Sequence, residues 1–215
     1  MSWLVSAKQY IPAVIGEPFG GGYFAGYISH TADGNPTHAL IVAPAATGAT
    51  GTGYTLTTTL AWKATNTTTL GTTSLFDGSA NTDAMVTAGI SDHPAGNFCV
   101  GLSIGGYNDW YLPALLELDI AYFNLKPSTG ANLVPAGINS YAVPQRPNSW
   151  TTDYPLQTTI GSFRAGAEAF QALRHWSSTE NTVTAAVALD FAAGSRPNDS
   201  KNLPRSVRAF RRIAL

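Results

Sequence analysis

The segment GLSIG, from Gly101 to Gly105, is where the sequence matches a nucleophile motif. In a GxSxG elbow the serine follows a strand and directly precedes a helix, so that its Oγ projects over the helix N-terminus. Here Ser103 is followed by a Gly-Gly turn, and the next helical pattern begins only near Pro113. His175 is the only histidine that comes after this serine. We therefore interpret the motif as a chance match in a glycine-rich chain.

The residues that most often bind metals are also scattered. The four histidines, at positions 30, 38, 93 and 175, form neither an HxH nor an HExxH pattern. Cys99 is the only cysteine, which excludes a CxxC site and an intrachain disulfide and suits a reducing compartment. The segment GATGTG at 48–53 lacks the Lys-Ser/Thr sequel of a phosphate loop. The sequence thus predicts no metal, no cofactor and no enzymatic activity.

Composition and charge limit the kinds of partner that this protein is expected to bind. The 215 residues are 44% hydrophobic and 12% charged, with a net charge of −1. Such a chain has no global field that would recruit nucleic acid or an anionic membrane. It contains no apolar run of about 18 residues and no basic segment followed by an apolar stretch at its start, so neither a membrane span nor a signal peptide is expected. The prediction is a soluble, unprocessed protein.

Strand patterns occur at both ends of the chain. Two runs, 20–30 and 35–44, flank the Asp33-Gly34 turn signal and predict a β-hairpin. The Thr-rich stretch 47–73 favours exposed loops or short edge strands. Three more strand-like runs close the sequence: RHWSSTE, TAAVALDF and SVRAFRRIAL. The first fifteen residues are interpreted as an arm with strand character that serves attachment or oligomerisation, followed by one domain from 16 to 215.

Helices are predicted between these strands. The intervals are 82–89 (capped by Asn81 or Thr82), 95–102, 113–124 and 165–173. The third is apolar over most of its surface, which predicts a buried helix whose narrow wet side carries Glu117, Asp119 and Asn124. The segment 127–155 is rich in proline and turn residues and predicts a long, ordered surface loop, which we call the excursion. Helices inserted among antiparallel strands give the α+β class.

Several of these segments, taken in order, resemble a known family. GGYNDWYLPALLEL, HWSSTE and the closing LDFAAGS…K…VRAFRRI are similar to the C-terminal domains of collagen-like bacterial adhesins and of related phage tail proteins. The segments GEPFGGGYFAGYI and FDGSANTDAMVTAG resemble the amino-terminal part of the same domains. The resemblance implies a C-type-lectin-like fold with small antiparallel sheets, two main helices and long loops.

The resemblance rests on a set of residues that we interpret as structural. Trp110 and Trp176 are expected to be core anchors, and Arg208 is expected to pair with Glu117 or Glu180. The other matching positions are Asp109, Leu112, Pro113, Leu118, Ser177, Ser178, Phe191, Gly194, Lys201 and Val207. The calcium-binding sets of sugar lectins are missing, since EPF stands at Glu17 and NDW is in reversed order.

The resemblance implies a phage virion protein, with three functions to weigh. The first is receptor binding, at a tail fibre tip or on the particle surface, to a host cell-surface glycan or protein. The second is a structural decoration or assembly subunit that contacts other virion proteins. The third, an enzyme acting on cell-surface polysaccharide, is disfavoured by the missing catalytic motifs. A homo-oligomer, by analogy a trimer, is expected in either of the first two cases.

The resemblance also places a binding face. In retroelement proteins of similar fold, the target-facing residues lie between the WSS strand and the closing VR strand, which corresponds here to 179–202. The excursion 127–155 is expected to form a wall of the same face, with aromatic rings for stacking on sugars. The predicted ligand-binding residues, expected to be exposed, are Asn181, Thr182, Arg196, Asn198, Asp199, Lys201, Trp150 and Tyr141.

Overall fold

The computed structural model describes residues 10–215. The predicted arm therefore lies mostly outside the described residues, and the part of it inside, residues 10–15, contains bends and a turn and no strand. The helices are α1 Ala45–Gly48, α2 Gly78–Gly89, α3 Pro94–Val100, α4 Leu115–Leu125 and α5 Gly161–Arg164. The strands are β1 Pro18–Phe19, β2 Gly22–Ile28, β3 His38–Val42, β4 Ala49–Thr50, β5 Leu60–Ala61, β6 Ala142–Val143, β7 Arg174–Glu180, β8 Ala185–Asp190, β9 Asn198–Ser200, β10 Pro204–Arg205, β11 Val207–Arg208 and β12 Phe210–Ala214.

Two larger antiparallel sheets form the frame. The first has the order β1-β2-β3-β12, with β6 also paired to β2. The second has the order β7-β8-β9, and two short ladders join β4 to β11 and β5 to β10. The predicted hairpin is confirmed, since β2 and β3 pair from Tyr23↔Val42 to Ile28↔His38. Small antiparallel sheets with few helices make this a mixed α+β fold, as the sequence predicted.

Helix α4 lies between the two larger sheets, in contact with β2, β7 and β8. Its approach to β2 requires a glycine: Gly26 has φ +133°, and a Cβ there would lie 2.7 Å from Asn124 Nδ2. At the helix start, Glu117 accepts hydrogen bonds from the backbone N–H of Ala114 (2.7 Å) and from Tyr111 Oη (2.7 Å). These bonds satisfy donors that a helix N-terminus leaves free.

The charged residues of α4 correct the predicted wet side. Glu117 and Asp119 are completely buried, and Asn124 donates to the carbonyl oxygen of Ala25 at 2.8 Å. The helix is thus enclosed on the faces that the sequence assigned to water, and its carboxylates are satisfied by internal donors. The prediction of a buried helix is confirmed.

The other helices agree in part with the prediction. Helix α2 begins earlier than expected because Asp77 caps it, accepting from Ala80 N–H at 2.9 Å. Helix α3, Pro94–Val100, begins one residue before the predicted interval 95–102 and ends two residues before its end. The helix predicted at 165–173 is wrong: residues 161–164 form one helical turn, and turns and irregular structure follow. In that segment Glu168 accepts from Ala45 N–H and pairs with Arg208, so tertiary contacts override the local helical propensity.

The two tryptophans expected in the core are there. Trp110 and Trp176 are buried in one cluster with Trp62, and the indole of Trp176 donates to the carbonyl oxygen of Leu60 at 2.9 Å. The partner expected for Arg208 was wrong, because the buried guanidinium pairs with Glu168 at 2.9 Å and not with the two glutamates named above. Most residues that carry the resemblance are buried, in keeping with a structural role.

Candidate functional site

The residues predicted to bind a ligand do not share one surface. Asn181 and Thr182 form the exposed turn between β7 and β8, and Asn198 is exposed at the start of β9. Tyr141 is half-buried and stacks on Phe76, with ring centroids 4.2 Å apart. The remaining four divide between internal ion pairs and a packed tryptophan. No single ligand-binding face therefore contains all eight.

Three of these residues correct the expectation of exposure. Lys201 is 0% exposed, and its ammonium group pairs with Glu180 at 2.8 Å and donates to two backbone carbonyls. Asp199 is buried between Arg174 and Arg205. Trp150 is 3% exposed, which leaves no ring face for a sugar. The sequence predicted an exposed position for Lys201 and Asp199 because they are polar residues in a turn-like segment. In the structure, both side chains form ion pairs inside the protein.

One part of the prediction brings two segments together. Loop 192–197, between β8 and β9, packs on the excursion 127–155, because Gly194 lies directly against the indole of Trp150. A Cβ at Gly194 would come within 2.1 Å of Trp150 Cζ3. The close approach explains why a glycine occupies this position and places Arg196 beside the excursion. The two segments are thus in direct contact and together form one wall.

A buried carboxylate fixes that wall to α4. The carboxylate of Asp119 accepts hydrogen bonds from Arg146, from Arg196 and, at 2.9 Å, from Asn139 Nδ2. Asn139 and Arg146 also exchange two backbone hydrogen bonds, of 2.9 and 3.0 Å. The Asp119 cluster, defined as these four residues, therefore joins the helix to both loops. It contains two guanidinium charges and one carboxylate, so a net positive charge remains.

Beside the Asp119 cluster is a groove with a volume of about 340 Å³. Its aromatic wall consists of Phe123 and Tyr154, whose rings meet edge to face with centroids 5.4 Å apart. The guanidinium carbon of Arg146 lies 4.5 Å from the centroid of Phe123. Tyr154 is 54% exposed, so its ring is accessible to a ligand. We call this the Arg146 groove; its lining residues are Phe123, Pro144, Gln145, Arg146, Pro147, Asn148, Ser149, Trp150 and Tyr154.

The groove and the cluster contain unused hydrogen-bond donors. Within residues 10–215, no acceptor is bound by Arg146 Nε, Arg196 Nε or Trp150 Nε1, and all three atoms are buried. A buried donor without an acceptor costs about 1–3 kcal/mol. Burial lowers the pKa of Arg146, an effect that Arg196 reinforces and Asp119 opposes. The region beside the groove therefore contains three N–H donors that no acceptor of the described residues satisfies.

The sequence did not single out the residues that matter most here. Arg146 is the only Lys or Arg between positions 127 and 163, and it stands between Pro144 and Pro147. That isolated cation in a proline-rich, aromatic segment was the available signal. Asp119 gave none, because its helical position looked solvent-exposed.

The residues with catalytic potential are not assembled. Ser103 is exposed and lies outside the helices and strands; α3 ends before it and α4 begins only at Leu115, so the strand-serine-helix geometry does not form. His175 is buried and bonded to Tyr54 Oη at 2.7 Å. Burial also raises the pKa of the Cys99 thiol.

Within the described part of the chain, no three His, Cys, Asp or Glu residues lie together in a way that could hold a metal ion. Across the same residues, none of the helices is both long enough and apolar enough to span a membrane. Comparison of the sequence with protein-family models gave no match, and comparison with curated proteins found no significantly similar sequence. The family resemblance stays a prediction from the motifs.

The histidines predict acid sensitivity. Burial lowers the pKa of His175 to about 3, and burial together with Arg212 and His38 lowers that of His30 to about 4. Because these pKa values lie below that of an unfolded histidine, about 6.5, the unfolded chain binds more protons between these limits. The stability from both groups is complete above pH 6.5 and is lost as the pH falls toward 4 and 3.

We therefore expect the melting temperature to fall steadily between pH 7 and pH 4. Glu117 acts in the opposite direction, since burial raises its pKa to about 7 and its contribution is lost as the pH rises from 4.5 to 7. Calorimetry of the wild type and of His30→Gln, which cannot titrate, separates the two effects. The variant should show a smaller acid-side fall; an identical profile would contradict the role given to His30.

Proposed function

We propose that this protein is a non-enzymatic binding module with a C-type-lectin-like fold. In this proposal it belongs to a phage virion and holds a host cell-surface glycan in the Arg146 groove. The observation that carries the proposal is the pairing, in one groove, of an exposed aromatic ring at Tyr154 with the partly buried guanidinium of Arg146, whose Nε–H has no acceptor among the described residues.

The chemistry of sugars fits this combination. The C–H face of a sugar ring packs on an aromatic ring, and Tyr adds a hydroxyl that can bond at the edge of the ring. Arginine supplies planar, directional donors that suit hydroxyl and carboxylate oxygens. The volume of the groove, about 340 Å³, lies in the range of small-ligand sites. The phage assignment and the fold name rest on the sequence motifs.

The second candidate is a decoration or assembly subunit, favoured by exposed apolar side chains in the excursion 127–155 and directly after it. Leu133, Val134, Ile138 and Leu156 are each about half exposed or more. Exposed apolar residues in one region can mark a protein-protein contact. In this candidate the same wall meets other virion proteins or further copies of the chain, and the homo-oligomer, by analogy a trimer, belongs to this proposal.

Tyr154→Ala distinguishes the two candidates. The substitution should weaken binding to an array of bacterial surface polysaccharides, or to host cells, by about tenfold or more, because it removes the accessible stacking surface. Stability should change little, since the side chain is more than half exposed. Binding is measured with purified protein on the array and by pull-down on whole cells.

The matched control is Tyr107→Ala. Tyr107 is 37% exposed and lies outside the groove, against Arg211. The Tyr107→Ala variant should bind polysaccharides and host cells as the wild type does. If both variants bind equally well, the glycan is held elsewhere; if the wild type binds no polysaccharide and no cell, the assembly candidate is preferred.

A further inference from the structure

A second groove, of about 350 Å³, lies at the start of β7. It shares no lining residue with the Arg146 groove, so its test is independent of the proposed function. Its polar lining residues are Thr52 and Thr59 of the Thr-rich loops, Arg174 of β7, Asp190 of β8, Arg205 of β10 and the following Ser206.

Asp199 positions the two arginines. Its carboxylate accepts from Arg174 Nη1 at 2.9 and 3.3 Å and from Arg205 Nε at 2.6 Å. Because Asp199 is buried in β9, it fixes both guanidinium groups from behind. Among the described residues, nothing accepts from Arg174 Nε, Arg174 Nη2 or Arg205 Nη2. The side chain of Arg174 is 43% exposed and that of Arg205 is 23% exposed, so solvent reaches both guanidinium groups.

Asp190 adds an acceptor to the same groove. It is the cross-strand partner of Arg174 in the β7-β8 ladder, yet the two form no ion pair within the described residues. One carboxylate oxygen of Asp190 accepts from the Ala192 N–H at 2.8 Å, and the other has no such partner. The groove thus combines guanidinium donors, a carboxylate acceptor and the hydroxyls of Thr52 and Thr59.

From this combination we infer that the groove binds an acidic sugar, a pyranose that carries one carboxylate. Arginine forms two parallel charge-assisted hydrogen bonds with a carboxylate, and Arg174 has two adjacent free nitrogens for them. Sugar hydroxyls donate to Asp190 and exchange hydrogen bonds with the two threonines. The two arginines and two aspartates at the groove sum to zero charge, so Asp190 repels a phosphate dianion more strongly than it repels a carboxylate with a single negative charge.

The inference is tested by calorimetric or NMR titration with galacturonate, with galactose as the uncharged match and glycerol phosphate as the alternative anion. Galacturonate should bind most tightly, with an affinity that falls as salt is added. Arg174→Ala should weaken binding about tenfold or more, since a charge-assisted pair is lost. The variant is expected to fold, because Arg205 still pairs with Asp199.

Two further variants complete the test. Arg164→Ala removes an exposed arginine of α5 outside the groove and should bind galacturonate as the wild type does. Arg174→Lys keeps the charge without the planar fork, so it should bind less tightly than the wild type. The inference is overturned if galacturonate does not bind, if galactose or glycerol phosphate binds equally well, or if Arg174→Ala leaves the affinity unchanged.

Discussion

Replacing Trp176 with alanine is expected to lower the free energy of unfolding by about 3–5 kcal/mol. The side chain is completely buried in the middle of β7 and packs in one cluster with Trp62 and Trp110. Its loss removes a large apolar surface and leaves a cavity, and it also leaves the Leu60 carbonyl oxygen without its 2.9 Å donor. Urea denaturation at equilibrium, followed by circular dichroism, measures the change.

The control for this substitution is in the neighbouring sequence. Leu173 precedes β7 and is nearly half exposed, so Leu173→Ala should cost well under the tryptophan value. Trp176→Phe should recover part of the loss, because it refills most of the cavity without restoring the indole N–H. A loss below about 1 kcal/mol for Trp176→Ala would contradict the core assignment.

Local sequence patterns predicted the helices and strands whose formation depends on interactions between residues close in the sequence. Helix α4 was found from its apolar surface and its proline, and the β2-β3 hairpin from the Asp33-Gly34 turn between alternating runs. Helix α2 was found too, but its start was misplaced because Asp77 was not recognised as the cap. In each case the determining contacts lie within a few residues or within one strand pair.

The polar interior could not be predicted in the same way. Each buried ion pair joins residues that are far apart in the sequence or on different strands. The pairs are Lys201 with Glu180, Arg208 with Glu168, and Asp199 with Arg174 and Arg205. No spacing in the sequence indicates which charged residue finds a buried partner, because the partner is selected by the tertiary fold. The sequence therefore placed several of these groups on the surface.

The candidate site differs in part from what the sequence predicted. The excursion 127–155 contacts the loop before β9, where Gly194 lies against Trp150, and their shared part in a binding face stays a prediction. The role given to Trp150 was wrong, because the indole is packed beneath the wall, and the exposed ring belongs to Tyr154. Aromatic type alone does not distinguish a ring that supports a loop from one that is available to a ligand.

Asp119→Asn is expected to destabilise the protein by about 3–5 kcal/mol, as is usual when one partner of a buried ion pair is removed. Asp119 is fully buried, and its carboxylate is the acceptor for both Arg146 and Arg196. Asparagine keeps the shape of the side chain but leaves two partly buried guanidinium groups without a counter-charge. Urea denaturation measures the stability, and hydrogen exchange should show faster opening of residues 139–154.

A triple variant separates the contribution of the Asp119 cluster to stability from its contribution to binding. Replacing a whole buried ion cluster by apolar side chains of similar volume is often neutral for stability or even favourable. Asp119→Leu, Arg146→Met and Arg196→Met together should therefore recover most of the stability that Asp119→Asn loses. The same triple variant should fail to bind the polysaccharide that the wild type binds, since the groove has lost its donors. Unchanged stability of Asp119→Asn would contradict the buried ion cluster, and full binding by the triple variant would show that the groove functions without Arg146.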